Sequence, residues 1–252
     1  MKESGYIKGR GAQHQVANRF LQHSYEMRDD FLNYCAAEGE EARDTRTTFI
    51  DTFPKTIVNK VTSPDVGLEY SLNPYQGCEH GCVYCYARNS HEYWGYGAGL
   101  DFEQKILVKR NAAGLLEQKL RSKSWKAVPI VLSGNTDCYQ PVERKLEITR
   151  SLLQLFLKYK HPVGIITKNA LIQRDIDILE ELARDNLVRV NLSITSLEEK
   201  TRQLLEPRTA SIKKRLQTLE KLSEKGIPVS VMMAPIIPSI NSHEILPLIK
   251  EI

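Results

Sequence analysis

The sequence has no long hydrophobic run. Its most apolar stretch, IPVSVMMAPIIP, is about a dozen residues long and carries three prolines, too short to cross a bilayer. The opening MKESGYIKGRG contains no apolar core of the kind a secretory signal needs. The expectation is therefore a cytoplasmic protein without membrane contact. Cysteine is scarce, with five in 252 residues, which excludes a scaffold built from disulfides. Charge of one sign is not in excess either. The 35 Lys and Arg stand against 31 Asp and Glu and interleave with them, so the net +4 is no argument by itself for a nucleic-acid partner. Low-complexity tracts and internal repeats are absent.

What remains is the composition of an ordinary globular chain, 41% hydrophobic and 26% charged, long enough for one large domain or two small ones. Residues 1–50 differ from the rest. They are polar, carry KGRGAQ and EGEEARDTR, and show no sustained apolar period, which predicts an extended N-terminal arm with one short helix over 18–34. Residues 51–252 read as the core domain.

In that core, apolar runs rich in β-branched residues alternate with amphipathic patterns. EYSLNP precedes a helix at 112–123, VPIVLSG one at 142–159, and VGIITK one at 172–184. LVRVNLSIT is followed by helices at 197–205 and 212–225, and IPVSVMMAP by a helix from about residue 243. KILVKR, at 105–110, is a further short strand. Continuous apolar strands separated by helices are parallel strands buried on both faces, and right-handed crossovers wind them into a βα barrel or an open sheet. About five barrel strands are legible before the sequence ends in the next helix, so a partial barrel lacking its last strand is expected.

Ligands of such folds sit at the carboxyl ends of the strands. Directly after the first strand of the series stands NPYQGCEHGCVYCYAR, with three of the five cysteines, Cys78, Cys82 and Cys85, inside eight residues. Thiolates so spaced on one loop can converge on a polynuclear site. A cubane cluster takes four cysteines when fully ligated, and three leave one iron open. Zinc sites usually use two separated ligand pairs, and no second pair follows here, although His80, His91 or Cys138 would be needed to complete one. The spacing favours iron–sulfur, with a zinc-dependent nucleic-acid-binding module as the non-catalytic alternative.

This CxxxCxxC motif, with Tyr84 before its last cysteine and a βα barrel behind it, resembles the radical SAM superfamily. GCEHGCVYCYAR and TDCYQPVE look closer still to its spore photoproduct lyase-like branch of uncharacterised bacterial proteins. The resemblance implies a partial (β/α)₆ barrel, a [4Fe–4S] cluster on Cys78, Cys82 and Cys85, and S-adenosylmethionine on the open iron. It implies reductive cleavage of that cofactor to a 5′-deoxyadenosyl radical, which abstracts hydrogen from a substrate the sequence does not identify. It also implies an electron donor such as flavodoxin or ferredoxin. DNA lesion repair of the lyase type is the alternative activity, with nucleic acid as partner.

The same resemblance assigns the remaining site residues. Thr136 and Asp137 in SGNTD lie where family members meet the methionine part of the cofactor, and polar groups there suit an ammonium. A turn capping the next helix is the alternative, and both can hold at once. Lys168 in ITKN, a position where the lyase branch uses a lysine, would pair with the cofactor carboxylate. Ser193 in LSIT would contact ribose or carboxylate, and Arg208 would grip a carboxylate or a structural partner. Tyr84 offers an aromatic face to adenine. Cys138 is the candidate hydrogen donor, although the lyase's cysteine precedes its Thr-Ser-Asp segment, where Gly134 stands here. Met232, Met233, Pro235 and Pro238 suit either an adenine wall or the core.

Overall fold

The structure, a computed structural model, describes residues 6–21, 46–63 and 67–252. Six strands form one sheet: β2 (Val58–Lys60), β3 (Tyr70–Leu72), β6 (Ile130–Leu132), β7 (Val163–Thr167), β8 (Val188–Ser193) and β9 (Val229–Met232), in the order β2-β3-β6-β7-β8-β9. From β3 to β9 every pairing is parallel, and only β2 runs antiparallel, to β3. A second sheet joins β1 (Thr48–Thr52), β5 (Lys105–Lys109) and β4 (Tyr75–Gln76), in the order β1-β5-β4. Neither sheet closes on itself. The architecture is the α/β, partial-barrel type expected.

The parallel strands are apolar because helices cover them. Ile130, Leu132, Val163, Ile165, Val188 and Val190 share one core with the inner faces of α1 (Ala112–Leu120), α2 (Ile148–Lys158) and α3 (Ile176–Arg184). On α2, Ile148, Leu152, Leu153 and Phe156 recur at helical spacing on the buried side, each burial stabilising by roughly 1.5–3 kcal/mol. Beyond β8 follow α4 (Glu199–Leu205), α5 (Ile212–Glu224) and, after β9, α6 (Ile245–Glu251).

Three expectations need correction. The helix over 142–159 is two pieces, a single turn at Glu143–Leu146 and then α2, because Glu147 between them takes a left-handed φ of 50°. The helix over 172–184 opens as a 3₁₀ segment, Ala170–Asp175, entered where the Asn169 side chain accepts from the Leu171 N–H. β1 begins at Thr48, within the stretch read as arm, and takes its place by pairing with β5 in register Thr48–Lys105 to Thr52–Lys109. Most of the helix expected over 18–34, with Cys35, lies outside the described residues.

No helix among the described residues is long and apolar enough to cross a membrane.

Candidate functional site

β3 is short and leads at once into β4 and the cysteine loop, which therefore starts at the carboxyl end of the parallel sheet. Two glycines make the loop's bends: Gly77 at φ 82° and Gly81 at φ 67°, conformations that L side chains rarely adopt. Backbone hydrogen bonds fasten the loop on several sides. Cys78 N donates to Phe102 O (2.8 Å), Val83 N to Leu205 O (3.0 Å) and Arg208 N to the His80 carbonyl (3.2 Å). From the loop after β6, Gln140 accepts from Glu79 N (3.0 Å) and donates to Gly77 O (3.2 Å).

Cys78 and Cys82 are buried and Cys85 is partly so. Burial raises all three thiols, Cys82 to about 12, and the charges of Cys82 and Cys85 add to the rise at Cys78 and that of Cys85 to the rise at Cys82. Lys168 pulls Cys82 and Cys85 the other way, favouring their thiolates. Such a set needs positive charge to become thiolate, which is what bound iron supplies. Among the described residues no group of three or more His, Cys, Asp or Glu is arranged to hold a metal ion. A cubane cluster takes one cysteine per iron, so three thiols on one loop can hold it with one iron left open.

The strand ends carry the other residues. In the loop after β6, Asn73 Oδ1 accepts from the N–H groups of Asn135 (2.8 Å) and Thr136 (3.2 Å), and Thr136 Oγ1 donates to Tyr75 O (2.8 Å). Asp137 is saturated. It accepts from Tyr139 N (2.9 Å), Thr167 Oγ1 (2.8 Å) and Lys168 N (2.8 Å), and stands 3.4 Å from His80 Nδ1. These contacts tie the β6 loop, the end of β7 and the cysteine loop together. They brace the site.

Lys168 and Ser193 are different. The register Thr167–Leu192 sets them side by side just past the paired residues of β7 and β8. No carboxylate pairs with the Lys168 ammonium among the described residues, and it lies 5.9 Å from the Tyr84 ring centroid. Ser193 Oγ is buried and has no hydrogen-bond partner among the described residues, a state that costs free energy unless a ligand satisfies it. Arg208 stands 3.6 Å from Glu79, holding the cysteine loop instead of waiting alone at the mouth.

The role expected of Cys138 does not match its place. Its side chain is fully buried in the main core with Tyr75, Tyr139 and Val142. Its N–H donates to Ser133 Oγ (2.7 Å) and its carbonyl accepts from Thr149 Oγ1 (2.7 Å), which fixes the backbone, and the fully buried side chain lies with the core residues.

One cluster escaped sequence reasoning. Glu206 is fully buried and accepts from Thr195 Oγ1 (2.6 Å), Arg215 Nη2 (2.5 Å) and the Tyr84 hydroxyl. Burial alone would raise its carboxyl, but Arg215, Lys168 and these hydrogen bonds hold it down at about 2. Arg215 also donates to Ser193 O (2.9 Å). A guanidinium on the buried face of α5, in phase with Ile212 and Leu222, was the signal available.

A parallel α/β sheet with a three-cysteine loop across its carboxyl end defines a class of enzyme that builds its cofactor on the strand tips. A family model for the radical SAM superfamily matches residues 72–252, and the chain belongs to that superfamily. Its cofactors are those of the superfamily, a [4Fe–4S] cluster and S-adenosylmethionine. An uncharacterized protein of Mycobacterium tuberculosis is 31% identical over 195 residues, 77% of this chain and 57% of its own length. An uncharacterized protein of Methanocaldococcus jannaschii is 31% identical over 179 residues, 71% of this chain and 64% of its own. The chain thus spans less than two thirds of these relatives. Among solved structures, spore photoproduct lyase complexed with dinucleoside spore photoproduct shares the fold at a TM-score of 0.58 and 15% identity, covering 88% of this chain and 58% of that one.

Proposed function

We infer that the chain is a radical SAM enzyme whose cluster is held by Cys78, Cys82 and Cys85 and which abstracts hydrogen from its substrate. The observation that supports this most is the coincidence, at one end of the sheet, of three thiols, two buried and one partly so, with a Lys168 ammonium that no carboxylate pairs and a Ser193 hydroxyl that has no hydrogen-bond partner among the described residues. When bound, the cluster and S-adenosylmethionine supply reductive cleavage of the sulfonium and the hydrogen abstraction that follows.

The chain's own residues prepare the site. Lys168 would bind the methionine carboxylate and Ser193 would donate its hydroxyl proton to the same group or accept from ribose. Tyr84 is anchored through its hydroxyl to Glu206, leaving its ring to face the cofactor. Thr136 and Asp137 act by fixing the β6 loop, and Arg208 by holding the cysteine loop through Glu79. An electron donor such as flavodoxin or ferredoxin would supply the reductant.

The lyase-type reading is weakened by two residues: Gly134 where a donor cysteine is needed, and the buried thiol of Cys138. Anaerobic reconstitution tests the main reading. It should give about four irons and four sulfides per chain, with 5′-deoxyadenosine formed on reduction. Each of Cys78→Ala, Cys82→Ala and Cys85→Ala should abolish both. Cleavage that persists in those variants would overturn the assignment.

A further inference from the structure

The residues Arg10–Ala12 reach the cysteine loop from outside the barrel and meet it backbone to backbone. A Cβ on Gly11 would stand 1.8 Å from the Gly81 carbonyl oxygen and 3.2 Å from Val83 Cγ1, so only glycine allows this approach. Both chains are fastened to one carboxylate. Glu103, fully buried, accepts from Gly11 N (3.1 Å), Ala12 N (2.7 Å) and Arg88 Nη2 (2.5 Å). Arg88 in turn donates to the Cys82 carbonyl (2.9 Å). A Cβ on Gly81 would sit 2.9 Å from Glu103 Oε2, so this carboxylate also fits against the loop itself. Arg10, buried as well, donates to the Glu103 carbonyl (2.8 Å), and Gln13 donates to Arg10 O (2.6 Å).

The segment continues over the same region. A Cβ on Gly97 or Gly99 would strike the backbone of Val16 or His14, and Asn18 donates to Glu92 O (2.8 Å) and Tyr96 O (3.1 Å). Three close glycine contacts and a buried, fully used carboxylate are expensive features for an incidental contact. Removing the partners of a buried charge leaves it unpaired at a cost of several kcal/mol.

We propose that Arg10–Ala12, Glu103 and Arg88 are positioning residues of the cluster site: they set the backbone between Cys78 and Cys82 before the cluster arrives and hold it there afterwards. This rests on the three cysteines being the cluster ligands. Gly11 fixes Gly81, which separates the first two cysteines, and Arg88 fixes the carbonyl of the second. The strap thus does for the cysteines what outer hydrogen bonds do for metal-binding side chains generally.

The test compares full-length wild type, Gly11→Val, Glu103→Leu and, as a control, Asn18→Ala, which loosens the far end of the strap and leaves the seat on Gly81 intact. All are reconstituted anaerobically. Iron loss to a ferrous chelator, the electron paramagnetic resonance spectrum of the reduced cluster, apoprotein melting and trypsin cleavage after Arg10 are measured. Gly11→Val and Glu103→Leu should lose iron with an apparent affinity weakened about 10- to 100-fold, the range for residues that orient metal ligands. They should also show an altered spectrum and cleavage at Arg10, while Asn18→Ala behaves as wild type. If one of the pair fails to fold, the other carries the comparison. Wild-type iron retention and spectrum in a folded variant cleaved at Arg10 would overturn the proposal. A wild type that takes up no cluster would sink the cofactor reading beneath it, with the strap's docking still visible as protection of Arg10.

Discussion

At the residue scale the site is governed by the pairing of buried charges. Arg215 is fully buried, and its partners are Glu206, Thr209 and the carbonyls of Ala210 and Ser193. Water cannot replace any of them. Arg215→Met would leave the Glu206 carboxylate with only hydroxyl donors in a dry site, and breaking a buried pair costs about 3–5 kcal/mol. Glu206→Gln alone keeps acceptors for Tyr84 and Thr195 but strands the guanidinium. The double variant Glu206→Gln, Arg215→Met should recover a large part of the loss, because neither charge remains. Urea midpoints on the four proteins form the cycle. Strictly additive losses would show that the two residues do not act as a pair. Because Glu206 also holds the Tyr84 hydroxyl, Arg215→Met should weaken S-adenosylmethionine binding in the loaded protein beyond its effect on stability.

At the element scale the break at Glu147 is informative. Its φ of 50° is the left-handed conformation, which costs a non-glycine residue about 1–2 kcal/mol. The break allows Glu143, on the turn before it, to accept from Thr149 N (3.1 Å), Arg174 Nη2 (2.9 Å) and the Tyr75 hydroxyl. Glu147→Gly should therefore raise the midpoint of thermal unfolding, by an amount equivalent to about 1 kcal/mol at most, since glycine pays backbone entropy in return. A fall in stability would mean that the Glu147 side chain, which makes no capping hydrogen bond, stabilises the fold in another way. The apolar period across 142–159 runs through the break without a gap, with Val142, Ile148, Leu152 and Phe156 all buried, so hydrophobic pattern gave no sign of it.

That is the general division between what could be read and what could not. Parallel strands such as VGIIT and VRVNLS are legible because burial on both faces demands apolar runs. β4, two residues long, and β1, a polar strand with exposed Phe49, carry no such demand and exist through their pairing with β5. The cysteines were legible because spacing along the chain is the chemistry. Glu206, Glu103 and Asn73 were not, because each acts on segments far away in sequence, Glu103 across 92 residues to Gly11 and Asn73 across 62 to Asn135.

At the scale of the whole molecule, buried ionisable groups set the pH range in which the apoprotein is stable. His91 is fully buried between Tyr96 and Phe102, and burial lowers it to about 4, with Asp101 opposing and Lys105 assisting. Its unfolded form takes a proton near 6.5. Between those values the unfolded chain binds more protons, so stability climbs as pH rises from about 4 to 6.5. The alkaline side runs the other way. Burial raises Cys138, Tyr75 and Tyr139, so they stay protonated in the fold while the unfolded thiol and phenols ionise from about 8.5 and about 10 upward. There the native state binds more protons, and stability falls as pH rises. Lys109, lowered by burial to about 8, opposes this between about 8 and 10.4, but in that range it is one group against four raised thiols, Cys78, Cys82, Cys85 and Cys138. Urea midpoints of the apoprotein should form a plateau between roughly pH 6.5 and 8.5, with both limbs descending. Cys138→Ala removes a titrating group from the alkaline limb without touching the proposed ligands. It should make that limb shallower by up to about 1.4 kcal/mol per pH unit between the unfolded pKa and the native one. An alkaline slope unchanged in Cys138→Ala would place the proton elsewhere and reject the account of this thiol as a neutral core residue.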